Sequence, residues 1–268
     1  MMKFLLTLLS IAVMAAGFAA DPVKLPPKEK FLLVLLAGQS NMAGRGFVQD
    51  SDKIPSPRVV MLDKEGNWVP AVDPVHYDKK AAGVGPGRTF ANLLAATDPE
   101  ITVGLIPTAC GGSPISSWVP GGYWEQTKSH PYDDAIARAR KAMESGTLTV
   151  LLWHQGEADC GKENSKLYHD RFSELVKRFR RDLGAPELPV IVGQLSKFPN
   201  KPWWDGKKQV DAAQRAVVEE LPPAAFVPSD GLTSNPDIVH FDAASQREFG
   251  KRYFEAYQKL LEKENAKK

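Results

Sequence analysis

Hydrophobic positions along the chain fall into two alternating kinds. Apolar runs of strand length, rich in Val, Leu and Ile, occupy 31–37, 58–62, 101–107, 148–154, 189–195 and 224–229. Between them, 87–96, 130–145, 165–183, 207–221 and 243–261 place apolar residues three and four apart. In 165–183, Leu167, Phe172, Leu175, Val176, Phe179 and Leu183 form one stripe with Lys and Arg opposite, the pattern of a helix lying on a sheet. Continuous apolar strands are what a parallel sheet buried on both faces requires. Their alternation with amphipathic helices predicts a doubly wound α/β sandwich with right-handed crossovers. Ligands in such sheets sit beyond the carboxyl ends of the strands, so chemistry is to be sought in the residues that follow each run.

Four such segments carry reactive or donor groups: Gly38-Gln39-Ser40-Asn41, Cys110-Gly111-Gly112-Ser113, His154-Gln155-Gly156-Glu157 and the late loop holding Asp237 and His240. Ser40 ends a buried strand where a helix begins, which suits either a capping hydroxyl or a nucleophile. Met42 stands where the Gly-x-Ser-x-Gly elbow would have its second glycine, so that motif is absent. A serine nucleophile needs a base. His240 is the candidate, because Asp237 three residues earlier can hold its tautomer within one turn; the bland alternative is a turn-forming Asp237 after Pro236 and an ordinary helix-start histidine. His76, His130 and His169 lack such a pattern and are expected at the surface. An oxyanion needs preorganised donors. Gly111 and Gly112 offer backbone N–H groups, and Gln155 shares a side of the pleat with Trp153, so its amide is expected to reach the catalytic edge. Glu157 either orients Gln155 or His154, or serves His240 as a second carboxylate. His154 with Glu157 and Asp159 comes nearest to metal-ligand spacing, and neither metal nor cofactor is expected.

Composition narrows the class rather than the chemistry. The formal charge of +2 comes from 34 basic and 32 acidic residues mixed along the chain, which gives no footprint for nucleic acid. Residues 1–20 carry an early lysine, an apolar core and small residues at Gly17, Ala19 and Ala20, the layout of a secretory signal peptide. The expected organisation is a signal peptide at 1–20, an extended leader at 21–30, a single domain at 31–262 and a charged tail at 263–268, in a secreted or periplasmic protein without a stable membrane anchor after cleavage. In that compartment Cys110 and Cys160 have either a disulfide or two buried thiols open to them.

The blocks "GQSNMAGRG", "TACGGSPISSW", "WHQGEAD" and "DIVHFD" resemble the motifs of the SGNH/GDSL hydrolase superfamily, most closely the sialate O-acetylesterase-like branch that includes acetylxylan esterases of carbohydrate esterase family 6. The resemblance spans roughly residues 30–258. It implies a three-layer α/β/α sandwich with a mainly parallel, flavodoxin-like sheet, Ser40 as nucleophile, His240 as base and Asp237 as its orienter. Its oxyanion donors would be the Ser40 N–H, one of Gly111 and Gly112, and Gln155 in place of the superfamily's usual asparagine, with Asn41 and Glu157 in support. The activity implied is removal of O-acetyl groups from a carbohydrate without a cofactor. A lipid or aryl-ester hydrolase, or an exported carbohydrate-binding protein with a dead site, are the competing readings. Trp118, Trp124, Trp203 and Trp204 are candidates for stacking on sugar rings or for structural roles.

Overall fold

The expected runs pair in one sheet. In the computed structural model, which describes residues 23–266, the strands are β1 (Phe31–Gly38), β2 (Val59–Leu62), β3 (Trp68–Pro70), β4 (Thr102–Pro107), β5 (Thr147–His154), β6 (Val190–Gly193) and β7 (Ala224–Val227), in the order β3-β2-β4-β1-β5-β6-β7. All pairings are parallel except β2 with β3. With the β2–β3 edge set aside, the order of the five remaining strands is the 2-1-3-4-5 of a flavodoxin-like sheet. The expected signal peptide lies outside the described residues.

The period of two along β1 divides the core. Leu33, Leu35 and Ala37 face one layer, built of α3 (Pro131–Met143), α4 (Lys162–Asp182) and α5 (Asp205–Glu220), while Val34 and Leu36 face α2 (Pro86–Ala96) and α6 (Ala243–Asn265). On the first face Trp153 meets Trp118 edge-on at 5.1 Å between ring centroids and stacks on Phe172 at 5.6 Å. Trp118 is thereby a core residue, 1% exposed, and not a sugar platform.

Two features lie outside the hydrophobic pattern. β3 has three residues and is half exposed on the sheet edge, too short to leave an apolar run. The helices start with polar turns or with proline at the first position, as in α2 and α3, so the amphipathic stripe marks the body of each helix better than its start. α6 also runs through Asn265, beyond the expected end of the domain.

Candidate active site

β1 and β5 run side by side, with Gly38 opposite His154 at their carboxyl ends. Gly38 sits at φ 132°, where a Cβ would run into the His154 carbonyl, so only glycine lets the two strand ends close up. The chain then turns into the one-turn helix α1 (Ser40–Ala43), which puts Ser40 at the first helical position with its N–H beyond the reach of any intrahelical acceptor.

The late loop comes to meet it. His240 Nε2 lies 3.0 Å from Ser40 Oγ, and His240 Nδ1 lies 2.6 Å from Asp237 Oδ2. The other oxygen of Asp237 accepts the N–H groups of Val239 and His240, both at 2.9 Å. This tight turn forces Ile238 to φ 53°, a left-handed conformation that a β-branched residue rarely takes. Backbone hydrogen bonds from Ile238 to Asn235 and from Asn235 to His240, together with Lys201 Nζ on the Ile238 carbonyl, hold it there. Burial pulls the Asp237 carboxyl upward, but the His240 ring and the two N–H donors prevail and hold it below its ordinary value. Ser40 is 8% exposed and the His240 side chain 23%, so the serine is largely covered while the ring keeps some contact with solvent.

Asn41 ties the two halves together. Its Oδ1 accepts the Phe241 N–H at 3.2 Å, and its Nδ2 donates to Glu157 Oε1 at 2.6 Å. Glu157 thus reaches the histidine loop through Asn41. Its Oε1 also stands 3.7 Å from His154 Nε2, and it makes no hydrogen bond to Gln155 or His240, which corrects its expected roles as orienter of Gln155 and as a second carboxylate for His240.

The expected oxyanion donors divide. Gln155 shares the side of Trp153, as the pleat requires, but that side is the face covered by α4 and α5. Gln155 is fully buried there: Nε2 donates to Asp159 Oδ2 at 2.6 Å and to the Ser113 carbonyl at 3.0 Å, and Oε1 accepts from Tyr168. Its amide has no donor left for the cleft, so it is a strut under the Ser113 loop. Replacing Gln155 with Leu is expected to lower unfolding free energy by about 2 kcal/mol while kcat falls by less than about tenfold, against the ~10²-fold or more that loss of an oxyanion donor would cost. Urea midpoints and kcat measured on the same preparation check this.

The Gly111 N–H is taken up by Asp78 Oδ2 at 2.9 Å, the carboxylate that also binds Arg45 Nη2 at 2.8 Å. Gly112 stands at φ 81°, and its N–H, like that of Ser40, finds no acceptor among the described residues. The Arg45–Asp78 pair, with side chains 7% and 3% exposed, fixes this loop against the segment after Ser40. Sequence reading missed it because a surface pair and a buried one look alike in a sequence when the partners are 33 residues apart.

Cys110 and Cys160 are both free and buried: Cys110 Sγ meets Ser129 Oγ and Cys160 Sγ the Gly156 carbonyl. Trp124 donates to the Gly111 carbonyl, Trp203 to Ser196, and the exposed Trp204 to the Cys160 carbonyl. His130 is exposed as expected, and His169 is partly exposed, within 3.1 Å of both Asp170 and Glu220. His76 is instead 4% exposed, which corrects its expected place at the surface.

Burial pushes His76 and His154 down to about 4, against the opposing pull of Asp78 and Glu157 respectively. Between pH 6.5 and about 4 the unfolded chain binds protons at these rings that the folded chain does not, so stability falls as pH falls through that window. Asp73, pushed up to about 6 by burial against the Arg88 charge, acts in the opposite sense, losing stability as pH rises. Two imidazoles against one carboxyl leave an expected net loss of about 3 kcal/mol on acidification from pH 7 to 4. Urea midpoints at pH 7, 5.5 and 4.5 should fall in that order; a constant midpoint contradicts this account.

A serine, an imidazole and a carboxylate from these segments meet at the carboxyl edge of a flavodoxin-like sheet, in a fold of the SGNH type. The chain belongs to the carbohydrate esterase, sialic acid-specific acetylesterase family, whose model matches residues 30–259. It is 30% identical over 256 residues to an Arabidopsis thaliana protein described as a probable carbohydrate esterase, covering 87% of this chain and 91% of that one. An X-ray structure of an Arabidopsis thaliana protein superimposes with a TM-score of 0.76 at 28% identity, over 87% of this chain and 99% of the other. A carbohydrate acetylesterase from Xanthomonas citri shares the fold, with a TM-score of 0.67 at 18% identity over 86% of this chain and 56% of that one.

Proposed function

We propose that the protein removes O-acetyl groups from carbohydrates through an acetyl-serine intermediate. The observation that carries this reading is the contact of Ser40 Oγ with His240 Nε2 at 3.0 Å while Asp237 holds the opposite ring nitrogen at 2.6 Å. In this reading Ser40 Oγ attacks the acetyl carbonyl and its proton passes to His240 Nε2. The negative oxygen that forms is met by the Ser40 and Gly112 N–H groups. His240 returns its proton to the departing sugar hydroxyl, and water, deprotonated by the same ring, releases acetate and restores the serine. Asp237 keeps Nδ1 protonated throughout and stabilises the imidazolium.

Family membership supports an acetylated carbohydrate as the substrate class. Acetate release from acetylated xylan and from O-acetylated sialic acid tests it: turnover of at least one, lost in Ser40→Ala, is expected, and no release from either by the folded protein would remove the claim. Export is part of the proposal, resting on residues 1–20. Amino-terminal sequencing of the mature chain is expected to begin near Ala20 or Asp21.

A further inference from the structure

The wall of the cleft formed by His240 and Asp237 continues into an open groove of about 550 Å³, lined by Arg45, Phe47, Val48, Lys80 and Pro236 and floored by small residues between Ala81 and Gly83. Phe47 is 71% exposed, the most exposed of the large hydrophobic side chains in the described chain. An exposed aromatic ring that lines the same groove as His240 and Asp237 is placed to touch whatever occupies that groove.

Its backbone is held. Gly46 and Val84 exchange N–H···O hydrogen bonds at 3.1 and 2.8 Å, and the Gly83 N–H donates to Gly44 at 3.1 Å, so the ring projects from a fixed ladder. The groove therefore offers one flat apolar face with cationic groups at its margin, Lys80 exposed and Arg45 tied to Asp78. A pyranose has the matching shape, with C–H bonds on its faces and hydroxyls around its edge.

Taking the acetyl-carbohydrate reading as its premise, we infer that this groove seats a sugar ring of the substrate and that Phe47 is the platform on which the ring stacks. The occupant follows from continuity: a sugar bearing the ester at Ser40 must extend along a wall of the cleft, and this groove includes His240 and Asp237 themselves. Such a contact is made equally in ground state and transition state, so it governs KM rather than kcat.

The test compares Phe47→Ala and Phe47→Trp with the unaltered protein on the acetylated carbohydrate that it hydrolyses and on p-nitrophenyl acetate and octanoate. Phe47→Ala is expected to raise KM for the carbohydrate about tenfold with kcat within about twofold, and Phe47→Trp to restore it. Values of kcat/KM for p-nitrophenyl acetate should stay unchanged in both. An unchanged KM for the carbohydrate overturns the inference while leaving the esterase reading intact, and equal losses on p-nitrophenyl acetate overturn it as a structural effect. A loss confined to the octanoate assigns the groove to an acyl chain and also overturns it. If the unaltered protein cleaves the aryl acetate but no acetylated carbohydrate, the premise fails and the inference with it.

Discussion

Ser40→Ala is expected to lower kcat on any acetyl ester by about 10⁴-fold or more, with KM nearly unchanged and the fold intact. Among the described residues Ser40 Oγ is the one hydroxyl hydrogen-bonded to His240, and Ser40 is 8% exposed, so no second hydroxyl is placed to take over its role. The substitution deletes one oxygen from the first turn of α1 and leaves the backbone N–H where it is. Residual turnover would then come from the N–H groups of Ser40 and Gly112 acting on an attacking water. A progress curve with p-nitrophenyl acetate, read beside a thermal melt, checks both halves; a loss under tenfold in a folded variant would remove Ser40 from the role of nucleophile.

Asp237→Asn is expected to cost about 10³- to 10⁴-fold in kcat, close to the loss in His240→Ala. An asparagine retains a carbonyl oxygen for the N–H groups of Val239 and His240, so the turn at Ile238 survives. What is lost is the anion 2.6 Å from His240 Nδ1, which fixes the tautomer and balances the imidazolium. From the sequence alone Glu157 was a possible second carboxylate, which would have softened this loss. In the structure Glu157 is bound to Asn41 at 2.6 Å and makes no hydrogen bond to His240, so no substitute is in place. Comparing kcat for Asp237→Asn and Asp237→Asn/Glu157→Gln decides the matter: if Glu157 were a second anion for the ring, the double variant would lose much of the activity that the single one keeps.

The reach of the sequence differs from segment to segment. Six of the seven strands are visible as apolar runs, since strands of a parallel sheet covered on both faces are apolar along most of their length. Ser40, Asp237 and His240 are legible for a related reason: a polar residue at the end of such a run, or an Asp and a His three apart before a helix, is conspicuous against its surroundings. Gln155 marks where that reasoning stopped. Its parity with Trp153 was correct, but parity tells only that two residues share a side, and the packing of α4 and α5 decides which side is covered. His76 and Arg45 were hidden for the same cause, because polar residues are buried by partners distant in the chain.

The amino-acid sequence by itself determined the layered α/β class, the strand ends as the place to look for a site, and Ser40, His240 and Asp237 as its candidate residues, because periodicity and motif are local properties. Only the tertiary structure decided that Gln155 is a strut, that Asp78 occupies the Gly111 N–H, that Asn41 joins Glu157 to the histidine loop and that Phe47 is exposed in the groove that His240 also lines. Each of these is a contact or an exposure set by the closing of loops far apart in the chain, and the hydrogen-bonding capacity of a side chain does not say which partner the fold will bring to it.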